Sequence, residues 1–251
     1  MVTELTGTVS VVTGGTSGIG LATAMALLTK GSNVVINARA EKADLVDKLC
    51  AVGAPSGARC VFAAGDASAA ETSQKIVSAA LDAFGRVDAV VHSAGGPAAG
   101  TILDLSPERW MEAFAIHIHS AFHLFRAAHG PLSARGGSVT FLSSAAALRG
   151  CPGTVAYQVV KASLIQLARA LARDHAAENI RVNCVAPGII RTPFHDAMSE
   201  AAKDNNLRNR IPLGREGRPE QVASLILQLI ENEFITGETF TIDGGMSMRM
   251  V

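Results

Sequence analysis

Apolar residues along this chain come in short runs separated by longer stretches of helical period. The runs at 8–12, 33–36, 59–63, 89–91, 137–143, 180–185 and 238–242 are rich in Val, Ile, Ala and Thr. Such runs are the pattern of strands covered on both faces. Between them, 21–30, 43–52, 76–84, 154–177 and 219–230 repeat apolar positions at three- and four-residue spacing, the period of an amphipathic helix. Residues 107–129 read as one long helix through Trp110, Phe114, Ile118, Phe122 and Phe125. Gly31 and Gly85 are helix stops, and 53–57 is a Gly/Pro/Ser linker. Residues 192–215 show no strong period and carry scattered charge, including Asp204, Arg208 and Arg210. They are expected to form a mobile lid on the substrate side. Steady alternation of strand and helix, with no break in composition, predicts an α/β fold. The expectation is a single domain built on a doubly wound parallel sheet of about seven strands, with helices on both faces.

In such a sheet, ligands sit beyond the C-terminal ends of the strands, and the candidate chemistry falls there. The first strand runs into Thr13-Gly14-Gly15-Thr16-Ser17-Gly18-Ile19-Gly20 and then a helix. Strand, glycine turn and helix place free N–H groups and a helix dipole where a phosphate can bind. Gly14 allows the turn, and Gly18 and Gly20 allow close approach. After the second strand comes Asn37-Ala38-Arg39, with no acid to bond a ribose hydroxyl. Arg39 can instead pair with a 2′-phosphate, which favours NADP(H) over NAD(H). Asp66, after the third strand, can accept from adenine or cap a helix starting at Ala67, together with Ser68. Small residues from Ser93 to Gly96 after the fourth strand suit close cofactor approach. Tyr157 and Lys161 lie four residues apart on one helix, and Ser144 lies thirteen residues before the chain's only tyrosine. Spacing of i and i+4 lets a phenol and an ammonium address one point, where the cation lowers the phenol pKa.

Taken together, the motifs resemble the short-chain dehydrogenase/reductase family over nearly the whole chain. Its T-G-x-x-x-G-x-G appears from Thr13 to Gly20, its Asp as Asp66, and its Ser…Y-x-x-x-K as Ser144, Tyr157 and Lys161. Its P-G-x-x-x-T appears from Pro187 to Thr192, and its terminal D-G-G as Asp243-Gly244-Gly245. The resemblance implies a Rossmann fold and hydride transfer between NADP(H) and a carbonyl/alcohol pair. It implies Tyr157 as general acid/base, Lys161 lowering its pKa and holding the nicotinamide ribose, and Ser144 bonding the substrate oxygen. Cofactor contacts would come from the loop (Gly14, Thr16, Ser17, Gly18, Ile19, Gly20), from Arg39, Asp66 and Ala67, and from Ser93, Ala94 and Gly95. Pro187, Gly188, Ile190 and Thr192 would complete them. Two positions depart from the family. His92-Ser93 stand where it has N-N, and Ser93 can replace only part of the lost hydrogen bonding. His117 replaces the helix Asn that helps hold a relay water; its imidazole can relay a proton or block the water.

The resemblance makes the expected substrate walls Gly96, Pro97, Ala145, Cys151, Pro152 and Gly188, with Phe194, His195 and Met198 in the closing segment. No cationic cluster for a carboxylate or phosphate is evident. An acyl-carrier-protein substrate fits the resemblance, although Glu178-Asn179 replaces the basic residue and Gly more usual in that branch. Two other readings are an NAD-linked alcohol dehydrogenase and a non-catalytic NAD(P)-binding sensor or scaffold. The family also implies a homodimer or homotetramer through the long helices; the run Met246, Met248 and Met250 can pack there or fray.

Charge and cysteine content narrow the field. There are 22 basic and 22 acidic residues, so nothing draws the chain generally to nucleic acid or membrane. No apolar run reaches the roughly 18 residues of a membrane span, and 1–7 lack a signal-sequence pattern. Cys50, Cys60, Cys151 and Cys184 have no C-x-x-C spacing and read as small core residues of a cytoplasmic protein. His119 and His123 share a helix face but lack an acid or cysteine to complete a metal site, so no metal is expected.

Overall fold

The computed structural model describes residues 4–42, 44–196 and 198–248. Seven strands pair in parallel: β1 (Val9–Thr13), β2 (Asn33–Ala38), β3 (Cys60–Ala64), β4 (Ala89–His92), β5 (Gly137–Leu142), β6 (Ile180–Pro187) and β7 (Thr239–Ile242). Their spatial order is β3-β2-β1-β4-β5-β6-β7. Alternate side chains feed two cores. Val11, Val35, Val90 and Val139 enter one, beneath α3 (Ala70–Phe84), α5 (Ser120–Ser133) and α6 (Val155–Asp174). Val12, Val34, Ile36 and Val91 enter the other, beneath α1 (Gly18–Thr29), α2 (Leu45–Gly53) and α8 (Pro219–Glu231). The winding reverses between β1 and β4, and a crevice opens there at the strands' C-terminal ends.

Three stretches differ from the sequence expectation. The helix expected over 107–129 is α4 (Pro107–Phe114), a π turn (Ala115–His119) and α5, which continues through Pro131 to Ser133. A π turn inserts one residue and rotates the helix face. His117 lies in this one, buried, while His119 beside it is exposed. The segment after Thr192 is ordered into a 3₁₀ turn (Pro193–His195), α7 (Glu200–Asn205) and a second π turn (Asn206–Arg210). Two turns are too short to show a period, but Ser199 caps α7 by accepting from the Ala202 N–H at 3.3 Å. Finally, α3 starts at Ala70, not Ala67. Asp66 accepts from the Ser68 N–H and hydroxyl (2.9 and 2.7 Å) in a turn that precedes the helix. Ala43, the expected start of another helix, lies outside the described residues, as does Met250.

The bracing of the central strands also differs. Ser93 does not replace the missing amide; His92 does. Its ring is 1% exposed. Nε2 meets the Ser120 hydroxyl at 3.0 Å and Nδ1 the Thr13 hydroxyl at 2.9 Å. The partners fix the tautomer. Ser120 donates to the Ile116 carbonyl (2.6 Å), so its oxygen accepts from Nε2–H. Thr13 donates to Nδ1 and accepts from the Ala94 N–H (3.1 Å). One directed chain thus ties α5, β4, β1 and the loop after β4.

Burial, then the Lys161 charge, pushes the His92 pKa down to about 3. The unfolded chain takes up a proton near the ordinary 6.5 while the native state does not. Stability from His92 is therefore fully present above that value and is lost as pH falls toward the folded pKa. Urea unfolding should show stability falling on acidification from pH about 6.5 to about 4.5, and His92→Asn should reduce the slope by up to about 1.4 kcal/mol per pH unit. Equal slopes would contradict the assignment.

Candidate active site

The glycine loop folds back on β4. Gly14 has φ +66°, and a Cβ there would lie 3.0 Å from the Ala94 nitrogen. A Cβ on Gly20 would collide with the Gly14 carbonyl. Helix α1 can approach the strand this closely only with glycine at that position. Gly18, with φ +52°, faces Thr192, whose Cγ2 would lie 3.1 Å from an added Cβ. The loop after β6 therefore closes over the loop after β1. Together they leave a narrow cradle whose small residues fit a dinucleotide pyrophosphate at the N-terminus of α1.

Two adjoining cavities follow. A cleft of about 400 Å³ is lined by Gly14, Ser17, Gly18 and Ile19, then Ser93 to Ala99, His117, Ser144, Tyr157, Lys161, Pro187, Gly188, Ile190 and Thr192. A second, of about 640 Å³, shares Gly14 and Ala94 with it and adds Arg39, Asp66 and Ala67. Thr16 and Gly20 line neither cavity; they are buried behind the loop. Asn37 is buried, and its Nδ2 donates to the Ala63 and Gly65 carbonyls at 2.9 and 3.1 Å. Arg39 is exposed. The Asp66 pKa is lowered, mainly by its Ser68 hydrogen bonds and also by the Arg39 charge. Lys42 reaches across to donate to the Thr16 carbonyl at 2.9 Å. It supplies the basic group that the loop itself lacks. Its distance in sequence from the loop hid it.

Ser144, Tyr157 and Lys161 converge in the cleft. Lys161 is 6% exposed. Its Nζ donates to the Leu142 carbonyl at 2.7 Å, and its own carbonyl accepts from the Ser143 hydroxyl at 2.7 Å. Burial lowers its pKa to about 8. The Ser144 side chain beside Tyr157 favours the phenolate, but burial acts more strongly and raises the pKa. The net direction is therefore upward, set by burial. The ammonium is committed to Leu142 and stands 5.7 Å from the phenol ring centroid, so desolvation wins.

His117 meets Tyr157 edge-on, with ring centroids 5.9 Å apart. Its Nε2 bonds the Gly96 carbonyl at 3.0 Å, while Nδ1 is buried without a partner. Burial, then the Lys161 charge, drives its pKa to about 2. The imidazole is therefore neutral at any working pH. It fits only because a glycine faces it: a Cβ on Gly95 would lie 2.5 Å from His117 Cε1.

Of the expected substrate walls, Gly96, Pro97, Cys151, Gly188, Phe194, His195 and Met198 line the cleft; Ala145 and Pro152 do not. Cys151 is thus a wall residue, not a core one. Met246 and Arg210 join them, while Met248 is 72% exposed. Arg210 donates to Asn206 Oδ1 at 2.9 Å. No carboxylate lies among the cleft-lining residues.

Comparison with known proteins decides the family. The model described as enoyl-(acyl carrier protein) reductase matches residues 14–247. A 3-oxoacyl-[acyl-carrier-protein] reductase of Chlamydia muridarum is 35% identical over 95% of this chain and 96% of its own. The chain belongs to the short-chain dehydrogenase/reductase family. The dehydrogenase/reductase SDR family member 4 of Caenorhabditis elegans is 35% identical over 97% of this chain and 96% of its own. L-Sorbose reductase of Gluconobacter frateurii, solved with NADPH and L-sorbose, superposes with a TM-score of 0.90 at 28% identity over 100% of both chains. This short-chain dehydrogenase/reductase is accordingly an oxidoreductase of carbonyl/alcohol pairs using NAD(P). The reading as a non-catalytic sensor is set aside, because its relatives are named reductases and dehydrogenases. Among the described residues, no helix is long and apolar enough to cross a membrane.

Proposed function

We propose that the enzyme prefers NADP(H) and uses Tyr157 as its general acid/base. The observation that carries this is the meeting of Ser144, Tyr157 and a buried Lys161 beside a cradle only glycines can form. Bound in that cradle, the nicotinamide would supply or accept the hydride. Tyr157 then gives its proton to the carbonyl oxygen in reduction and takes it back in oxidation. Its raised pKa keeps that proton in place until negative charge develops on the substrate. Ser144 donates to the same oxygen and fixes its position. Lys161 stabilises the phenolate as it forms and holds a ribose hydroxyl. Neutral His117 braces Gly96 through Nε2 and packs against the Tyr157 ring.

Arg39 and Lys42 favour NADP(H): Arg39 lines the cavity that adjoins the loop, and Lys42 donates to the Thr16 carbonyl within that loop. The chain acts as one unit, with 192–215 closing over substrate through Phe194, whose ring lies 5.9 Å from that of Tyr157. Exposed Met111, Phe122 and Val159 on the long helices support pairing of subunits there. A cytoplasmic location accords with free thiols at Cys50, Cys60, Cys151 and Cys184. Arg210, facing a cleft without carboxylates, favours substrates that carry an acidic group beyond the carbonyl.

Three outcomes test these assignments. Tyr157→Phe should lose nearly all turnover yet bind NADP(H) with unchanged affinity by fluorescence titration; retained turnover would remove Tyr157 from the mechanism. Arg39→Ala with Lys42→Ala should raise KM for NADPH about tenfold or more, as expected for lost charge-assisted hydrogen bonds, and leave KM for NADH nearly unchanged. Arg210→Met should raise KM for a keto acid about tenfold and that for its methyl ester less than about twofold. Equal effects on acid and ester would remove Arg210 from substrate recognition.

A further inference from the structure

His129, His175 and Glu178 meet where α5 and α6 end, and we propose that they form a zinc site. His129 lies on α5, His175 follows the last residue of α6, and Glu178 closes the 3₁₀ turn Ala176–Glu178. One donor atom from each lies within 4.8 Å of the others. Two imidazoles and a carboxylate are a borderline-soft donor set that zinc binds and magnesium or calcium does not favour.

The orientation of the donors supports a shared ligand. His129 Nε2 and Glu178 Oε2 are 2.7 Å apart. The two atoms are closed to solvent and in ion-pair contact, without the straight N–H···O alignment of a good hydrogen bond. The ring nitrogen therefore does not point along the line to the oxygen. Two donors held side by side and aimed elsewhere can both address a third point. His175 Nδ1 approaches the other carboxylate oxygen at 3.0 Å. Ligands about 2.1 Å from a tetrahedral ion stand roughly 3.4 Å from one another, so small side-chain rotations close the site. The rings are held for this. Phe125 is buried, and its centroid lies 6.1 Å from His129 and 4.9 Å from His175, with the two imidazoles 4.9 Å apart. The three side chains are 38, 21 and 35% exposed, so the cluster borders solvent.

The site lies far from the catalytic cleft. Asn179 leads directly into β6 and its carbonyl accepts from the Gly137 N–H that starts β5, so the cluster is at the N-terminal edge of the sheet. None of its members lines the cleft. A bound ion would clamp the ends of two neighbouring helices and stabilise the fold without entering the chemistry.

The full chain, freed of metal by a chelator, is titrated with Zn²⁺ against a chromophoric zinc indicator while thermal unfolding is followed in parallel. The proposal expects about one zinc per chain, a higher Tm with Zn²⁺ and no change with Mg²⁺. His129→Gln and Glu178→Gln, tested separately, should each weaken binding by at least about ten, the minimum for losing a direct ligand. Both lie at the surface, and circular dichroism checks that each variant folds. Undiminished zinc binding in both variants would place the metal elsewhere, on a cysteine or on His119 and His123, and overturn the proposal. So would absence of binding to the wild type.

Discussion

A lysine ammonium, 6% exposed and held by the Leu142 carbonyl at 2.7 Å, is the constraint around which the site is arranged. A charge removed from water this far must be compensated or surrendered. Lys161 does some of each: its pKa falls to about 8, and the groups around it are neutral. The same charge helps drive His92 and His117 to their neutral forms. Neutral His92 can then act as donor on one nitrogen and acceptor on the other. That is what the chain from Ser120 to Thr13 to the Ala94 N–H requires. The position of the loop after β4, and hence one wall of the glycine cradle, depends on a neutral His92, whose pKa is lowered by burial first and then by the Lys161 charge.

The two departures from the family pattern are connected. His92 substitutes for an amide by supplying both a donor and an acceptor, although it is larger. His117 is also larger than an amide and is accommodated by a π turn in its own helix and by Gly95 across from it. Neither imidazole carries charge, so each adds hydrogen-bonding capacity to the interior without a second buried ion beside Lys161.

What could be read from the sequence was what has a short-range signature. Strands covered on both faces announce themselves as apolar runs, and the Thr13–Gly20 loop as a glycine pattern following one. Tyr157 and Lys161 share a helix face because they are four residues apart. The remainder is set by tertiary contact. The His92 brace joins residues 79 and 28 positions apart. Lys42 reaches Thr16 from 26 positions away, and His129 meets Glu178 only because α5 and α6 lie side by side. The π turn at Ala115–His119 adds one residue within an apolar pattern of three- and four-residue steps, so periodicity over 107–129 does not single it out. Desolvation escaped for a related reason. The i,i+4 spacing suggested that Lys161 acidifies Tyr157, but burial of the phenol sets the net direction upward.

Because Tyr157 is the only tyrosine in the chain, its ionisation can be followed directly by the near-ultraviolet absorbance of tyrosinate. A pH titration of the free enzyme and of the enzyme saturated with NADP⁺ tests the assignment of Tyr157 most directly. In the free enzyme the phenol should titrate above its ordinary value of about 10, and with NADP⁺ bound it should shift downward by about one unit or more, since an added cation favours the phenolate. The shifted value should reappear in the pH profile of alcohol oxidation. A tyrosinate titration at the ordinary value, unmoved by cofactor and absent from the rate profile, would contradict a buried Tyr157 that exchanges a proton with substrate.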